Sequence, residues 1–406
     1  MSFQTGLSGL NASAKNLDVI GNNIANANTI GAKVSRAEFS AVVAGAVGPS
    51  GSSGGNGIGV EIATISQQFS QGTINITGNN LDCAINGGGF FQLTQKDGST
   101  AYTRDGQFKL DPKGNLITNS GASVMGYPTD VAGAPTSTTA SPLTIPTGAP
   151  IAAKVTSTVT AQFNLDARAK IAATAPVTPY STYGTTMNGY DAQGVTVPIK
   201  LYFVKTAVNA WNVFDGDPVG PPVRPPLGAM TFDNAGKILT PVAPLAMTIT
   251  PTGPNTSVVP IPITVDVSKA TQYGTAFAVS DLTQDGYTAG TLTGVNINEQ
   301  GVITTRYSNG QSQARGQLAL ADFRNVQGLQ PVGQGNWIET TTSGMPIQGN
   351  PGVGNFGVIS SGSLEASNVD LTEQLVAMMT AQRDYQANAQ TIKTQDATLQ
   401  TLVNLR

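Results

Sequence analysis

The strongest constraint on this chain lies at its two extremities. In the opening stretch MSFQTGLSGLNASAKNLDVIGNNIANANTIG, residues 1–31, Phe3, Leu7, Leu10, Ala14, Leu17, Gly21 and Ile24 step by four and three, and the pattern fades at Asn28. That is the seam of a coiled coil. At the other end, NVDLTEQLVAMMTAQRDYQANAQTIKTQDATLQTLVNLR repeats the spacing through Leu371, Leu375, Met378, Tyr385, Ala389, Ile392, Leu399 and Val403, interrupted by Gln382 and Asp396. Asp370 and Glu373 have the capping-box separation just before it. The spacing predicts a second helix of about 35 residues, roughly 50 Å at 1.5 Å per residue. Asn, Ser, Thr and Gly are poor helix formers, so the first helix is marginal alone and needs a partner. Two readings stay open on spacing: a helical pair packed on a globular domain, or an intramolecular coiled coil whose remaining faces pack on neighbouring subunits.

Composition narrows the chemistry. At 406 residues there is room for two or three domains of about 150 residues each. Charged residues are 11%, against roughly 25% in ordinary globular proteins, so the surface is polar but largely uncharged. A net charge of -3 gives no field for nucleic acid or an anionic membrane. With no histidine, Ser-His and Cys-His nucleophile systems and the commonest metal ligand are excluded. The single cysteine, Cys83, rules out an internal disulfide and reads as a small buried residue in LDCAI. The N-terminus carries Lys15 beside Asp18 and lacks the continuous apolar run of a secretory signal, so export would have to leave it uncleaved. No stretch approaches the ~18 apolar residues of a membrane span.

Between the ends the period changes to two. Val155 to Leu165 and Val195 to Phe203 alternate apolar and polar residues as half-buried strands do, and Pro198 points to an edge strand for the second. LDPKGNLIT (110–118), FDNAGKILT (232–240) and INEQGVITT (297–305) share a polar turn with glycine at the fifth position, predicting hairpins that need positive φ at Gly114, Gly236 and Gly301. YDAQG, ending at Gly194, is a further turn signal. Residues 45–59 and 214–228 read as loops. The glycine-rich 45–59 and 86–91 segments lack the helix a phosphate cradle requires, and Asp215 and Asp217 lack metal-loop spacing. The proline-flanked Arg224 reads as loop, not as a polyproline ligand. No active site assembles from these residues.

The termini carry a resemblance. SGLNASAKNLDVIGNNIANANTIGAK and GSLEASNVDLTEQLVAMMTAQRDYQANAQTIKTQDATLQTLVNLR resemble the bacterial flagellar axial proteins, the rod, hook and hook-junction family. YTRDGQFKLDPKGNL, VPIKLYFVKT, GQLALADFRNVQGL and GNFGVISSGSLEASNVDL are most similar to its hook branch, while the segment Leu81 to Leu93 is shared with rod members. Ala32 departs from the family, which commonly has an aromatic residue between the glycine and Lys33.

The resemblance implies a mixed, mainly β fold: a coiled-coil core from residues 1–30 and 365–406, a connector of 31–70 and 359–364, a β-rich middle domain of 71–145 and 285–358, and an outer β domain, 146–284, inserted in it. It implies a non-enzymatic subunit without cofactor or metal, which polymerises with itself into a curved tube acting as a universal joint between rod and filament. The implied partners are the distal rod protein, the hook cap, the hook-filament junction protein and the type III export apparatus, with the subunit outside the cell. Leu7, Leu10, Leu17, Ile24, Leu371, Leu375, Met378, Tyr385, Ile392 and Leu399 are the expected assembly residues of the core. A straight distal-rod subunit is the rival within the family. A β-rich adhesin or binding module is the rival outside it, and a wall-cleaving hydrolase lacks a recognisable acid pair.

Overall fold

The computed structural model describes residues 2–43, 57–148, 150–172, 183–218, 224–250 and 260–404. Most of the 45–59 loop and part of the 214–228 loop therefore lie outside the described residues. The chain is mainly β, with one long helix near each end: α1, Ser2–Ala25, and α2, Leu371–Asn404. Asp370 caps α2 as its spacing predicts, Oδ1 accepting from Thr372 N at 2.8 Å and Glu373 N at 3.2 Å. After α1 comes an antiparallel ribbon, β1 (Ser35–Val43) and β2 (Gly57–Gln67), which lies on α1; Val60 N donates to Ser8 Oγ at 3.3 Å.

The chain forms two compact units, one of residues 1–148, 294–306 and 312–406, the other of 149–293 and 307–311. In the first, antiparallel strands build a core where Phe90 and Trp337 meet edge to face at 5.7 Å, with Tyr102 and Phe323 beside them. The incoming and outgoing chain run together here. Val358–Ser361 pairs with Cys83–Asn86, and Ser363–Glu365 with Ile74–Ile76. Cys83 is wholly buried, and burial pushes its thiol up to about 12, which keeps it an inert packing group.

The second unit is a sandwich of two five-stranded sheets sharing one apolar core. Alternation in Thr158–Asp166 points Val159, Ala161, Phe163 and Leu165 inward, and Phe163 meets Phe203 of the opposing sheet at 4.5 Å. The strand carrying Pro198, Thr196–Ala207, is not an edge strand: it pairs on one side with Tyr183–Tyr190 and on the other with Ala210–Phe214. The second pairing begins only at Tyr202, so Pro198 occupies a half-strand bonded on one flank, where its missing N–H costs no ladder bond. The two ends of this unit's main segment, 149–293, bond each other, Ile151 N to Gly290 O at 2.8 Å and Lys154 N to Tyr287 O at 3.0 Å.

The recurrent turns share one construction. Gly114, Gly236 and Gly301 have φ of 86°, 82° and 73°. Each glycine N–H bonds the carbonyl three residues earlier, on Asp111, Asp233 and Asn298 at 2.9, 3.1 and 2.9 Å. The side chains of those residues close the loop. Asp111 Oδ1 accepts from Lys113 and Asn115, Asp233 Oδ1 from Ala235 and Lys237, and Asn298 Oδ1 from Val302. Asp191 and Gly194 repeat the device.

Candidate functional site: the terminal helix pair and its anchor

The amphipathic patterns at the chain ends do meet, and the helices run antiparallel. Asn23 bonds Gln374 (3.1 Å), Ser13 accepts from Asn388 (3.3 Å), and Gly6 faces Ile392. The facing line is not the apolar one. On α2 it runs through Gln374, buried Ala381 and Asn388, seven residues apart; on α1 it runs through Gly6, Gly9, Ser13 and Asn23. The glycines let the backbones close in: a Cβ on Gly6 would stand 3.2 Å from Ile392 Cγ1, and one on Gly9 2.9 Å from Asn388 Oδ1.

The predicted apolar residues sort around that line. Ile392 touches the opposite helix at Gly6, and Leu10, Leu17, Ile24 and Met378 are half-buried. Leu7, Leu371, Leu375, Tyr385 and Leu399 keep 43%, 43%, 52%, 37% and 49% of their surface in solvent, and Val376 and Met379 join them. Single exposed apolar residues are ordinary, but a set of this size on one helix pair marks an interaction face. The helices thus meet through small and amide side chains with Ile392 against Gly6, α1 buries Val19 and Ile20, and Leu7, Leu371, Leu375, Tyr385 and Leu399 remain exposed.

Asn23 ties the pair to the ribbon. From α1, its Nδ2 donates to Ser35 O at 2.8 Å and to Gln374 Oε1, while its Oδ1 accepts from Ser35 N at 2.9 Å. One buried amide thereby joins α1, β1 and α2. Asn23→Ala leaves the Ser35 backbone groups and Gln374 without these partners, a loss of about 2 kcal/mol. Amide exchange across α1 in assembled tubes of the full chain should then rise roughly thirtyfold; unchanged exchange would remove Asn23 from this role.

Below the pair a carboxylate gathers the connecting segments. Glu365, with no exposed side-chain surface, takes Lys33 Nζ on Oε1 at 2.6 Å and Arg104 Nη1 on Oε2 at 3.1 Å. Gly72 N donates to the same Oε1 at 2.9 Å, and the Glu365 carbonyl accepts from Gly31 N at 2.9 Å. Lys33 also reaches Ser70 O at 2.8 Å, and Arg104 Nη2 reaches Gly87 O at 2.9 Å. Burial pushes the Lys33 ammonium below its ordinary pKa, and the hydrogen bond and charge of Glu365 push it back. Asn368 adds an uncharged clasp: Oδ1 accepts from Val34 N at 2.7 Å, and Nδ2 donates to Gln68 O at 2.8 Å and Ser70 Oγ at 2.9 Å. Ala32, where the resemblance expected an aromatic residue, is half-buried, and its N–H bonds Thr29 O at 3.2 Å.

Spacing missed the residues of the facing line and the anchor. Their one sequence signal is scarcity, since Lys33, Arg104 and Glu365 are charges in a chain that has few. Among the described residues no group of three His, Cys, Asp or Glu could hold a metal ion, and no helix is long and apolar enough to cross a membrane.

Comparison with known proteins covers the whole chain. Residues 3–33 match the family "Flagella basal body rod protein" and residues 84–171 the "Flagellar hook protein FlgE/F/G D1 domain". Residues 164–287 match the "Flagellar basal body protein FlaE D2 domain", and residues 360–405 the "Flagellar basal body rod FlgEFG protein C-terminal" family. The flagellar hook protein FlgE of Salmonella typhimurium LT2 is 40% identical over 418 residues, with all of both chains covered. That of Escherichia coli K12 is 40% identical over 422 residues, again with full coverage, and that of Treponema pallidum 35% over 464, covering all of this chain and 99% of its own. The crystal structure of Helicobacter pylori flagellar hook protein FlgE2 superposes with a TM-score of 0.52 at 16% identity, covering 72% of this chain and all of that one, a likeness of fold.

Proposed function

The chain belongs to the flagellar hook protein family and is a structural subunit of the bacterial flagellar hook, and on that premise we propose how its parts share the work. The terminal segments, 1–30 and 365–406, form the inner core of the polymer. The connector, 31–70 and 359–364, joins them to a middle β layer of 71–145 and 285–358, and 146–284 forms the outer layer. The observation that supports this most directly is the outward apolar set Leu7, Leu371, Leu375, Tyr385 and Leu399, carried by a pair whose internal seam is already filled by small and amide residues. In the tube these residues, with Leu10, Leu17, Ile24 and Met378, pack against neighbouring copies through heterologous contacts that do not close into a ring and so propagate as a helix, while Ile392 stays against Gly6 within the pair.

The sparsely charged β surfaces suit the outside of a tube that bends while it turns. Neighbouring outer layers exchange weak polar and water-mediated contacts as each strand of subunits shortens and lengthens, which dense apolar interfaces would resist. The role is mechanical and non-enzymatic. The tube lies on the cell exterior, between the distal rod protein and the hook-filament junction protein, and grows under the hook cap. Its subunits arrive through the type III export apparatus with the N-terminus uncleaved, and they pass with their ends unfolded because the polar helices order only on assembly.

Negative-stain electron microscopy of the concentrated full chain tests this reading. Curved tubes are the expected product. Straight, rigid tubes would place the chain with the rod, and a chain that stays monomeric even when seeded with short hook fragments would turn the assignment towards a binding module.

A further inference from the structure

We infer that Glu365 is the positioning residue of the assembled subunit: held between Lys33 and Arg104, it fixes the direction in which the terminal helix pair leaves the β-structure of its own compact unit, and thereby the curvature of the tube. The inference rests on the hook reading above.

The geometry assigns each oxygen of one carboxylate to a different part of the chain. Oε1 takes Lys33, eight residues beyond the end of α1, together with Gly72 on the return from β2. Oε2 takes Arg104, which is bound in turn to Gly87 of the β-structure. Glu365 itself stands six residues before α2, so both helices are tethered at this point. Rotating the pair about its connector would break a charge-assisted bond where neither Lys33 nor Glu365 has exposed side-chain surface and Arg104 has 6%. The backbone is equally confined: Gly31 sits at φ 69°, and a Cβ there would lie 2.7 Å from the Arg104 backbone.

Stability is a poor explanation for this cluster. Taking ions out of water offsets most of what they gain from one another, and apolar residues of similar volume often serve as well. Two cations share this one carboxylate directly, and Asp322 adds a second negative charge near Arg104. What apolar packing would not supply is direction, because a forked acceptor with a donor on each side permits one orientation.

Lys33→Met separates the two roles. It removes the charged tie to the N-terminal connector, keeps the Gly31 N to Glu365 O and Val34 N to Asn368 Oδ1 bonds, and leaves Arg104 paired with Glu365, so no buried charge is orphaned. The full-length variant is compared with wild type and with Arg36→Met, which removes a partner from the exposed Arg36–Glu38 pair. Thermal unfolding should stay within a few degrees of wild type in both variants. Tubes of Lys33→Met, imaged by electron cryo-microscopy, should show a spread of curvature and subunit rotation several-fold wider than wild type, while Arg36→Met tubes match it. A folded Lys33→Met chain that forms no tubes beside a wild type that does supports the same conclusion. Lys33→Met tubes with wild-type curvature, whether or not the unfolding temperature falls, would overturn it. Failure of the wild type to form curved tubes would instead strike the hook reading, so the two failures are distinguishable.

Discussion

A chain carrying Leu375→Asp stays folded and monomeric at concentrations where the wild type forms tubes. Leu375 keeps 52% of its surface in solvent within a cluster with Leu371, Val376 and Met379, so an aspartate there costs the isolated chain little. The polymer is a different environment. Assembly through this face would forfeit about 2 kcal/mol of leucine burial and would desolvate an unpaired carboxylate, worth several kcal/mol more. A net loss of about 3 kcal/mol per subunit already raises the concentration needed for assembly by roughly a hundredfold. Sedimentation of polymer with electron microscopy reads the effect, and an unchanged circular dichroism spectrum shows that the β-structure survives. Tubes at the wild-type concentration would remove this face from the interface.

Trp211→Ala produces the largest effect on folding. Trp211 has no exposed surface, stands 5.9 Å from the Tyr183 ring and donates Nε1–H to Gln272 Oε1 at 3.2 Å. Truncation leaves a ring-sized cavity and takes the Trp211 donor from Gln272 Oε1, while Gln272 Nε2 keeps its bond to Asn209 Oδ1, costing about 3–5 kcal/mol. Against the roughly 5–15 kcal/mol of a typical domain, this lowers the midpoint of the unit containing Trp211 by about 10 °C. Calorimetry should show that transition moving while the transition of the helix-bearing unit stays in place. If assembly resides in the terminal helices, tubes still form below the lowered midpoint. An unmoved transition would mean that Trp211 does not anchor the sandwich core.

Much of this could be read from the residues in order, for identifiable reasons. Asp370 signals a helix start because capping is local, and Thr158–Asp166 reads as a half-buried strand because alternation needs only neighbours. The Asp-to-Gly turns at 111–114 and 233–236 are legible because the loop bonds to itself. The line joining the helices was hidden because a search for apolar spacing finds the outward face, whereas the inner face uses Gly6, Gly9, Gln374 and Asn388, which that search scores as polar or neutral. Pro198 misled because a strand can be central along one half and single-sided along the other. The Lys33–Glu365–Arg104 anchor showed only as three charges in a sparsely charged chain, since its members are brought together only by folding.

The closed base of the sandwich unit has a consequence for how such chains diversify. The two ends of its main segment are tied to one another, Ile151 to Gly290 and Lys154 to Tyr287, so everything between them is a cassette whose two leads sit one hydrogen bond apart. A cassette of that kind can be enlarged, exchanged for an unrelated fold or deleted in favour of a short linker without stretching the backbone that carries the terminal helices. Changes of sequence between the two leads can then proceed while the junction itself keeps its hydrogen bonds.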